Sequence, residues 1–322
     1  MKINEFRTMA QKAERAKLET IAGELYKRIP KGQKEQLDEA ILQILKGETP
    51  SAKKPAASVP FPELSAEIKT FLSYVDAGYY NQPNRIVPKQ KRSKWRFEVM
   101  RFIKALDAVP GDEAASLYLE LYKRLAYGCG YYIFPSEDPF RAIGIRQGDF
   151  YPRLAAKYFS DGFSDQKILD MLRAATSVNI DRESLYFEFE TAFIRELKTR
   201  DMREKAYQIA KEEVYRLEAL PQRRADDYET RRKVDEISST ILGLGISLYE
   251  EDDALVFFFQ HYDNHCKEVQ LYVALRTIDC FGGSQDLWCK VYDDAVARGV
   301  KPRESLVVKR KGVATHEVHR QI

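Results

Sequence analysis

The sequence predicts an all-α protein with a small N-terminal helical hairpin and a larger multi-helix body. Two observations lead to this prediction. Apolar residues recur three and four positions apart along most of the chain, a spacing that places side chains on one face of an α-helix. Stretches typical of a β-strand are short and isolated, at residues 131–134 and 305–308, and single short strands do not form a sheet.

Composition limits the classes of protein to consider. An apolar content of 44% with 12% aromatic residues is typical of a folded globular chain and excludes a largely disordered one. The 52 basic and 49 acidic residues leave a net charge of only +3, so a local patch would have to attract any anionic partner. The chain begins without the apolar segment of a signal peptide, and its longest apolar run is too short to span a bilayer. Its four cysteines are typical of reduced thiols, so we expect a cytoplasmic protein that does not bind membranes.

Interruptions of the helical pattern divide the chain into four parts. Residues 1–47 contain two amphipathic segments and predict a helical hairpin. Residues 48–62 contain four prolines among small and charged residues and predict a linker. Residues 63–300 carry the pattern of roughly ten helices joined by short turns and form the predicted main domain. Residues 301–322 form a basic tail.

The helices of the main domain follow one another along the chain with short breaks. Ser93 precedes an apolar face and can cap the helix that follows. Ser164 and Asp181 likewise precede apolar faces. No fixed repeat period is found, so an irregular α-solenoid, similar to a HEAT or tetratricopeptide array, and a globular helical bundle both remain open. The predicted helical stretches begin, in order, near Leu64, Trp95, Leu117, Ile168, Leu185, residue 200, residue 225, Leu255, Val269 and Ser284.

The first candidate site is the basic segment, residues 85–104. Seven basic residues and one acid lie between positions 89 and 104, with aromatic residues among them. Basic groups attract phosphates, and aromatic rings can stack on exposed bases, so we predict an anionic partner. The alternative is a solvated loop followed by a helix whose tryptophan belongs to the core. The predicted contact residues are Arg85, Lys89, Lys91, Arg92, Lys94, Trp95 and Arg96.

The second candidate is the aromatic loop, residues 127–150. Its tyrosines and prolines are too apolar for a plain solvent loop, and long ordered loops in helical proteins are often functional. Cys129 lies between two glycines, but no histidine nearby in the sequence could activate its thiol. A loop packed onto the core is the alternative interpretation. A pocket in this loop would be lined by Cys129, Tyr131, Tyr132 and Arg141.

A third, weaker candidate is a metal site formed by His261, His265 and Cys266. Imidazole and thiolate ligands suit zinc, but this spacing matches no standard zinc motif. The basic tail is a fourth possible contact region, because its cations outnumber its acids and it carries His316 and His319.

The leading functional hypothesis is a non-catalytic helical scaffold that binds another protein through a grooved or concave surface. Glycine-rich phosphate loops and nucleophile motifs are not found in the sequence, so we predict no cofactor and lean against an enzyme. A nucleic-acid-associated protein that uses the basic segment is the first alternative. An enzyme with its site at the aromatic loop is the second. The sequence does not specify an oligomeric state.

Overall fold

The computed structural model of the chain describes residues 8–28, 38, 41–42, 45, 60–221, 227–262 and 266–320. Within these residues the regular structure is helical, and the β features amount to one isolated bridge between Phe134 and Ser136. The prediction of an all-α multi-helix body is therefore confirmed. Among the described helices, none combines the length and the apolar content that crossing a bilayer requires.

The chain consists of two compact units, Met1–Val59 and Pro60–Ile322. In the first unit, helix α1 spans Arg15–Arg28, and the hydroxyl of Tyr26 donates a hydrogen bond of 2.6 Å to Asp38 Oδ1. Most of the predicted second helix of the hairpin, and residues 48–59 of the predicted linker, lie outside the described residues.

The second unit is a succession of helices joined by short turns. Its helices are α2 Phe61–Asp76, α3 Lys89–Arg92, α4 Trp95–Ala108, α5 Asp112–Gly128, α6 Pro139–Ile143, α7 Gln147–Tyr158, α8 Asp165–Thr176, α9 Tyr186–Glu196, α10 Arg200–Glu218, α11 Asp227–Leu248, α12 Glu251–His261, α13 Lys267–Cys280, α14 Gln285–Ala297 and α15 Glu304–Arg320.

Local sequence accounts for several helix starts. The hydroxyls of Ser164, Thr199 and Ser284 each accept a hydrogen bond from the backbone N–H three residues on, at the starts of α8, α10 and α14. The carboxylate of Asp181 makes both local and distant contacts. Its Oδ1 accepts from the backbone N–H groups of Glu183 and Ser184, while its Oδ2 accepts from that of Gln147 at 2.7 Å, so it ties the segment before α9 to the start of α7.

The apolar faces of the helices form one continuous core. Helices adjacent in the chain pack on each other, α10 on α11 and α11 on α12, while α5 contacts α2, α4 and α7. Tyr118, Tyr122 and Tyr151 are fully buried, and each phenolic hydroxyl donates a hydrogen bond, so their burial leaves no donor unsatisfied.

The segment predicted as a basic tail contains α15. Leu306 is buried, and the side chains of Lys309 and Arg310 contact Asp279 and Asp293. The strand-like pattern at residues 305–308 is part of this helix. The two histidines of the tail lie where the structure does not describe side chains.

Candidate functional site

The two interruptions of the helical pattern that the sequence singles out meet in the structure. Trp95, at the start of α4, stacks on Phe134 of the aromatic loop, with ring centroids 4.2 Å apart and an interplanar angle of 21°. The amide of Asn81 donates a hydrogen bond of 2.8 Å to the backbone oxygen of Tyr132. The basic segment and the aromatic loop therefore form one local structure.

Packing beneath the aromatic loop explains its composition. Phe134 is fully buried, and its ring also lies near those of Phe71 and Tyr80, with centroids 6.3 and 6.5 Å away. At Gly128 a Cβ atom would lie 2.7 Å from Pro139 Cγ, so only glycine lets the loop fold back this closely. The apolar part of the loop is core, and its polar part remains available for contacts.

The predicted contact residues of the basic segment divide into two groups. Arg92 is structural, since its Nε donates to the backbone oxygen of Val87 at 3.0 Å and so holds the preceding turn. Trp95 is only 2% exposed and supports the surface from below. The remaining residues are exposed and form no side-chain hydrogen bond or ion pair within the described part of the chain: Arg85, Lys89, Lys91, Lys94 and Arg96.

An open cleft joins the basic segment to the aromatic loop. The cleft has a volume of about 540 Å³, and Arg96, Arg141, Arg182, Glu137 and Asp138 are among its lining residues. Arg182 forms an ion pair with Glu137, whereas the exposed Arg141 and Arg96 have no such partner among the described residues. Two guanidinium groups at one opening can hold a phosphate or carboxylate through paired, charge-assisted hydrogen bonds.

Exposed tyrosines lie beside this cleft. Tyr131 stacks on Tyr127 with ring centroids 4.5 Å apart, yet 56% of Tyr131 remains exposed. Tyr132 is also exposed, and its hydroxyl donates to Glu137, the partner of Arg182. We name the basic surface by its exposed side chains: Arg85, Lys89, Lys91, Lys94, Arg96, Tyr131, Tyr132 and Arg141.

Cys129 is unsuited to act as a nucleophile at neutral pH. The thiol is half-buried, and its Sγ lies 3.6 Å from the backbone oxygen of Leu125. Burial, followed by the negative charges of Asp138 and Asp181, raises the pKa of Cys129 to about 12. A thiolate is therefore scarce, and the enzyme hypothesis receives no support from this residue.

The predicted metal site falls partly outside the described residues, since His265 is not among them. His261 is buried, its Nδ1 lies 2.8 Å from Glu218 Oε1, and its ring stacks on Phe257. Cys266 is exposed and precedes α13. Among the residues that the structure describes, no group of three or more histidine, cysteine or carboxylate side chains is arranged to hold a metal ion.

Sequence patterns did not indicate the apolar groove, a cavity of about 670 Å³ between α12, α13 and α14. Leu255, Val256 and Phe259 form one wall on α12, and Leu271 of α13, which is buried, forms the floor. The opposite wall comes from α14. Val256 is 67% and Phe259 36% exposed, which leaves an apolar strip open to solvent.

Charges are unevenly distributed along the apolar groove. At one end Lys290 pairs with Asp252 at 3.2 Å. At the other end Lys267 and Arg298 line the groove without an ion-pair partner in the described residues. The groove therefore combines an apolar strip with polar edges, and at the end where α12 and α14 terminate the two cations Lys267 and Arg298 outnumber one acid, Asp294.

A pair of carboxyl groups, the buried Glu190 of α9 and the half-buried Glu236 of α11, was also not predicted. Ser239 Oγ donates a hydrogen bond of 2.9 Å to Glu190 Oε2. Burial raises the pKa of both carboxyls above the usual value, and the proximity of Glu190 raises that of Glu236 further. The pair therefore retains a proton at neutral pH. The sequence does not indicate that Glu190 and Glu236, which lie on different helices, are close in space.

No family model, no curated protein and no solved structure matches this chain. Functional inference therefore rests on the surfaces described above: the basic surface and the apolar groove.

Proposed function

We propose that this protein is a non-catalytic binding protein that holds an amphipathic helix of a partner protein in its apolar groove. The observation that carries the proposal is the strip formed by Val256 and Phe259 above the floor at Leu271. Exposed apolar strips with a polar rim are typical of protein interaction sites. Grooves between helices accept the apolar face of another helix.

The length and charges of the groove indicate which kind of helix would fit it. Its second wall runs from Lys290 in α14 to Arg298 and is therefore about 13 Å long, enough for two to three turns of a bound helix. Apolar side chains at three- and four-residue spacing would cover Val256 and Phe259. Lys267 and Arg298, which lack ion pairs among the described residues, favour carboxylates at one end of that helix.

Site-specific photocrosslinking tests this proposal. A benzoylphenylalanine at Val256 places the reactive group in the groove, and one at Leu185, which is 63% exposed and does not line the groove, is the control. Mass spectrometry of products formed in cell lysate should identify a peptide with apolar residues at helical spacing and acids at one end. The matching synthetic peptide should then bind the purified protein.

Two further variants make the result decisive. Phe259→Glu should abolish binding of that peptide, because a carboxylate would be forced against its apolar face. Leu185→Glu adds the same charge outside the groove and should leave binding intact. Equal crosslinking from both positions, products that join only copies of this chain, or binding that survives Phe259→Glu would each contradict the proposal.

A further inference from the structure

The cations of the basic surface form no ion pair with any residue that the structure describes, whereas many cations on neighbouring helices do. Arg101 of α4 pairs with Glu67, Arg124 of α5 with Asp76, and most other cations of the second unit are neutralised in the same way. For the six cations of the basic surface no ion pair occurs among the described residues. Their charge is therefore available to a ligand.

Two acids, Glu137 and Asp138, line the cleft with two of these cations, and each already accepts a hydrogen bond from another residue of the protein. Glu137 is occupied by Arg182 and by the hydroxyl of Tyr132, and hydrogen bonds from both lower the pKa of Glu137. Asp138 is buried, and its Oδ1 accepts from the backbone N–H of Arg141 as the cap of α6. Residues 85–96 contain no acid. Because Glu137 is already paired with Arg182, its negative charge repels an approaching phosphate less than an unpaired carboxylate would.

The aromatic residues determine which anion fits. One face of the Tyr131 ring is covered by Tyr127, which fixes its orientation, and more than half of the residue stays exposed. Phe97, next to Arg96, is 58% exposed as well. Exposed rings among cations are the arrangement with which proteins stack single-stranded bases. Paired bases in a duplex are not accessible for such stacking.

We propose that the basic surface binds single-stranded nucleic acid, with its cations on the phosphates and Tyr131 stacked on a base. This function is additional to helix binding in the apolar groove and uses none of the groove residues. Arg85 lies in the segment before α3, and the other five cations are shared between α3, the start of α4 and the aromatic loop. The contact between Trp95 and Phe134 holds α4 and the aromatic loop together.

Fluorescence anisotropy with labelled oligothymidylate and oligouridylate of roughly 20 nucleotides tests the proposal on the full chain. If all six cations neutralise phosphates, the logarithm of the association constant should fall with the logarithm of salt concentration with a slope of about −4. That slope corresponds to a loss of about 300-fold between roughly 50 and 200 mM salt. A matched duplex should bind more weakly than either single strand.

Variants separate the contributions of charge and stacking. Lys91→Glu with Lys94→Glu should weaken binding at least tenfold and flatten the salt slope by about 1.4. The control, Arg195→Glu with Lys301→Glu, makes the same change in net charge at exposed positions outside the surface and should alter affinity less than twofold. Tyr131→Ala should cost about tenfold without changing the slope. Circular dichroism establishes that each variant folds.

Several results would overturn the proposal. A wild-type salt slope near zero would remove the electrostatic basis, and that measurement needs no variant. If the Lys91/Lys94 variant and the Arg195/Lys301 control lost the same affinity, the oligonucleotide would be attracted by net charge alone and not by the basic surface. Duplex binding as tight as single-strand binding would show that exposed bases are not recognised. Displacement of the oligonucleotide by polyglutamate at equal charge would show that the surface binds any polyanion.

Discussion

Glu236→Gln is expected to remove a pH dependence of stability that the carboxyl pair of Glu190 and Glu236 creates. The perturbation is nearly isosteric, and the glutamine amide can still donate to Glu190. In the unfolded chain both carboxyls lose their protons near the usual value of 4.5, but burial and mutual proximity keep at least one protonated in the folded protein. At neutral pH the folded state therefore binds one more proton than the unfolded state.

The sign follows from this difference in bound protons. Because the folded pKa is raised, the free energy of unfolding is highest below the unfolded pKa and falls as the pH rises towards the folded value. One proton corresponds to about 1.4 kcal/mol per pH unit. Between about pH 5.5 and pH 8 the wild type should therefore lose roughly 3 kcal/mol, an upper bound because Arg232 and Arg276 lower the pKa of Glu236.

Urea denaturation at several pH values measures this slope directly. Wild type should show the decline, and Glu236→Gln should show it reduced by one proton equivalent. Glu212→Gln, an exposed position on α10, should retain the wild-type slope. If wild-type stability were flat or rose with pH, or if Glu236→Gln kept the full decline, the pair would not share a proton and the reasoning would be refuted.

Two other predictions concern packing and thiol chemistry. Gly245→Ala should destabilise the protein by about 1–2 kcal/mol in thermal unfolding, because the new Cβ would lie 2.2 Å from Ala254 Cβ. Gly312→Ala, with nothing within 4 Å of the added methyl, should instead stabilise it by up to about 1 kcal/mol. Ellman's reagent near pH 8 should modify the exposed Cys266 at least tenfold faster than Cys129, whose pKa is raised to about 12. Equal thiol rates, or a stabilising Gly245→Ala, would contradict these two arguments.

Much of the fold could be predicted because the buried face of a helix is determined by residues that are three or four positions apart in the sequence. The apolar positions of α4 repeat every three to four residues, and the predicted set of Trp95, Val99 and Phe102 is buried as expected. The contacts of Asp181 could be predicted only in part from its neighbours in the sequence. Its Oδ1 accepts from the nearby backbone N–H of Ser184, but nothing in the sequence indicates that its Oδ2 binds a backbone N–H 34 residues earlier in the chain.

The candidate surfaces were only partly predictable for the same reason. Charge in the basic segment is visible in the sequence, but the difference between Arg92, which holds a turn, and Arg96, which lines a cleft, depends on tertiary contacts. The apolar groove exists only where three helices diverge. Val256 on one helix gives no indication of the floor that Leu271 provides.

The contact between Asn81 and the aromatic loop has a consequence during protein synthesis. The two residues that form this hydrogen bond are 51 positions apart, and the cations from Arg85 to Arg96 lie between them, so these cations are synthesised before the aromatic loop. At synthesis rates of roughly 5–20 residues per second, the cations would wait about 2.5–10 s for the tyrosines. During that interval the cations between Arg85 and Arg96 lack the aromatic partners of the proposed surface, which are brought beside them when Phe134 packs on Trp95.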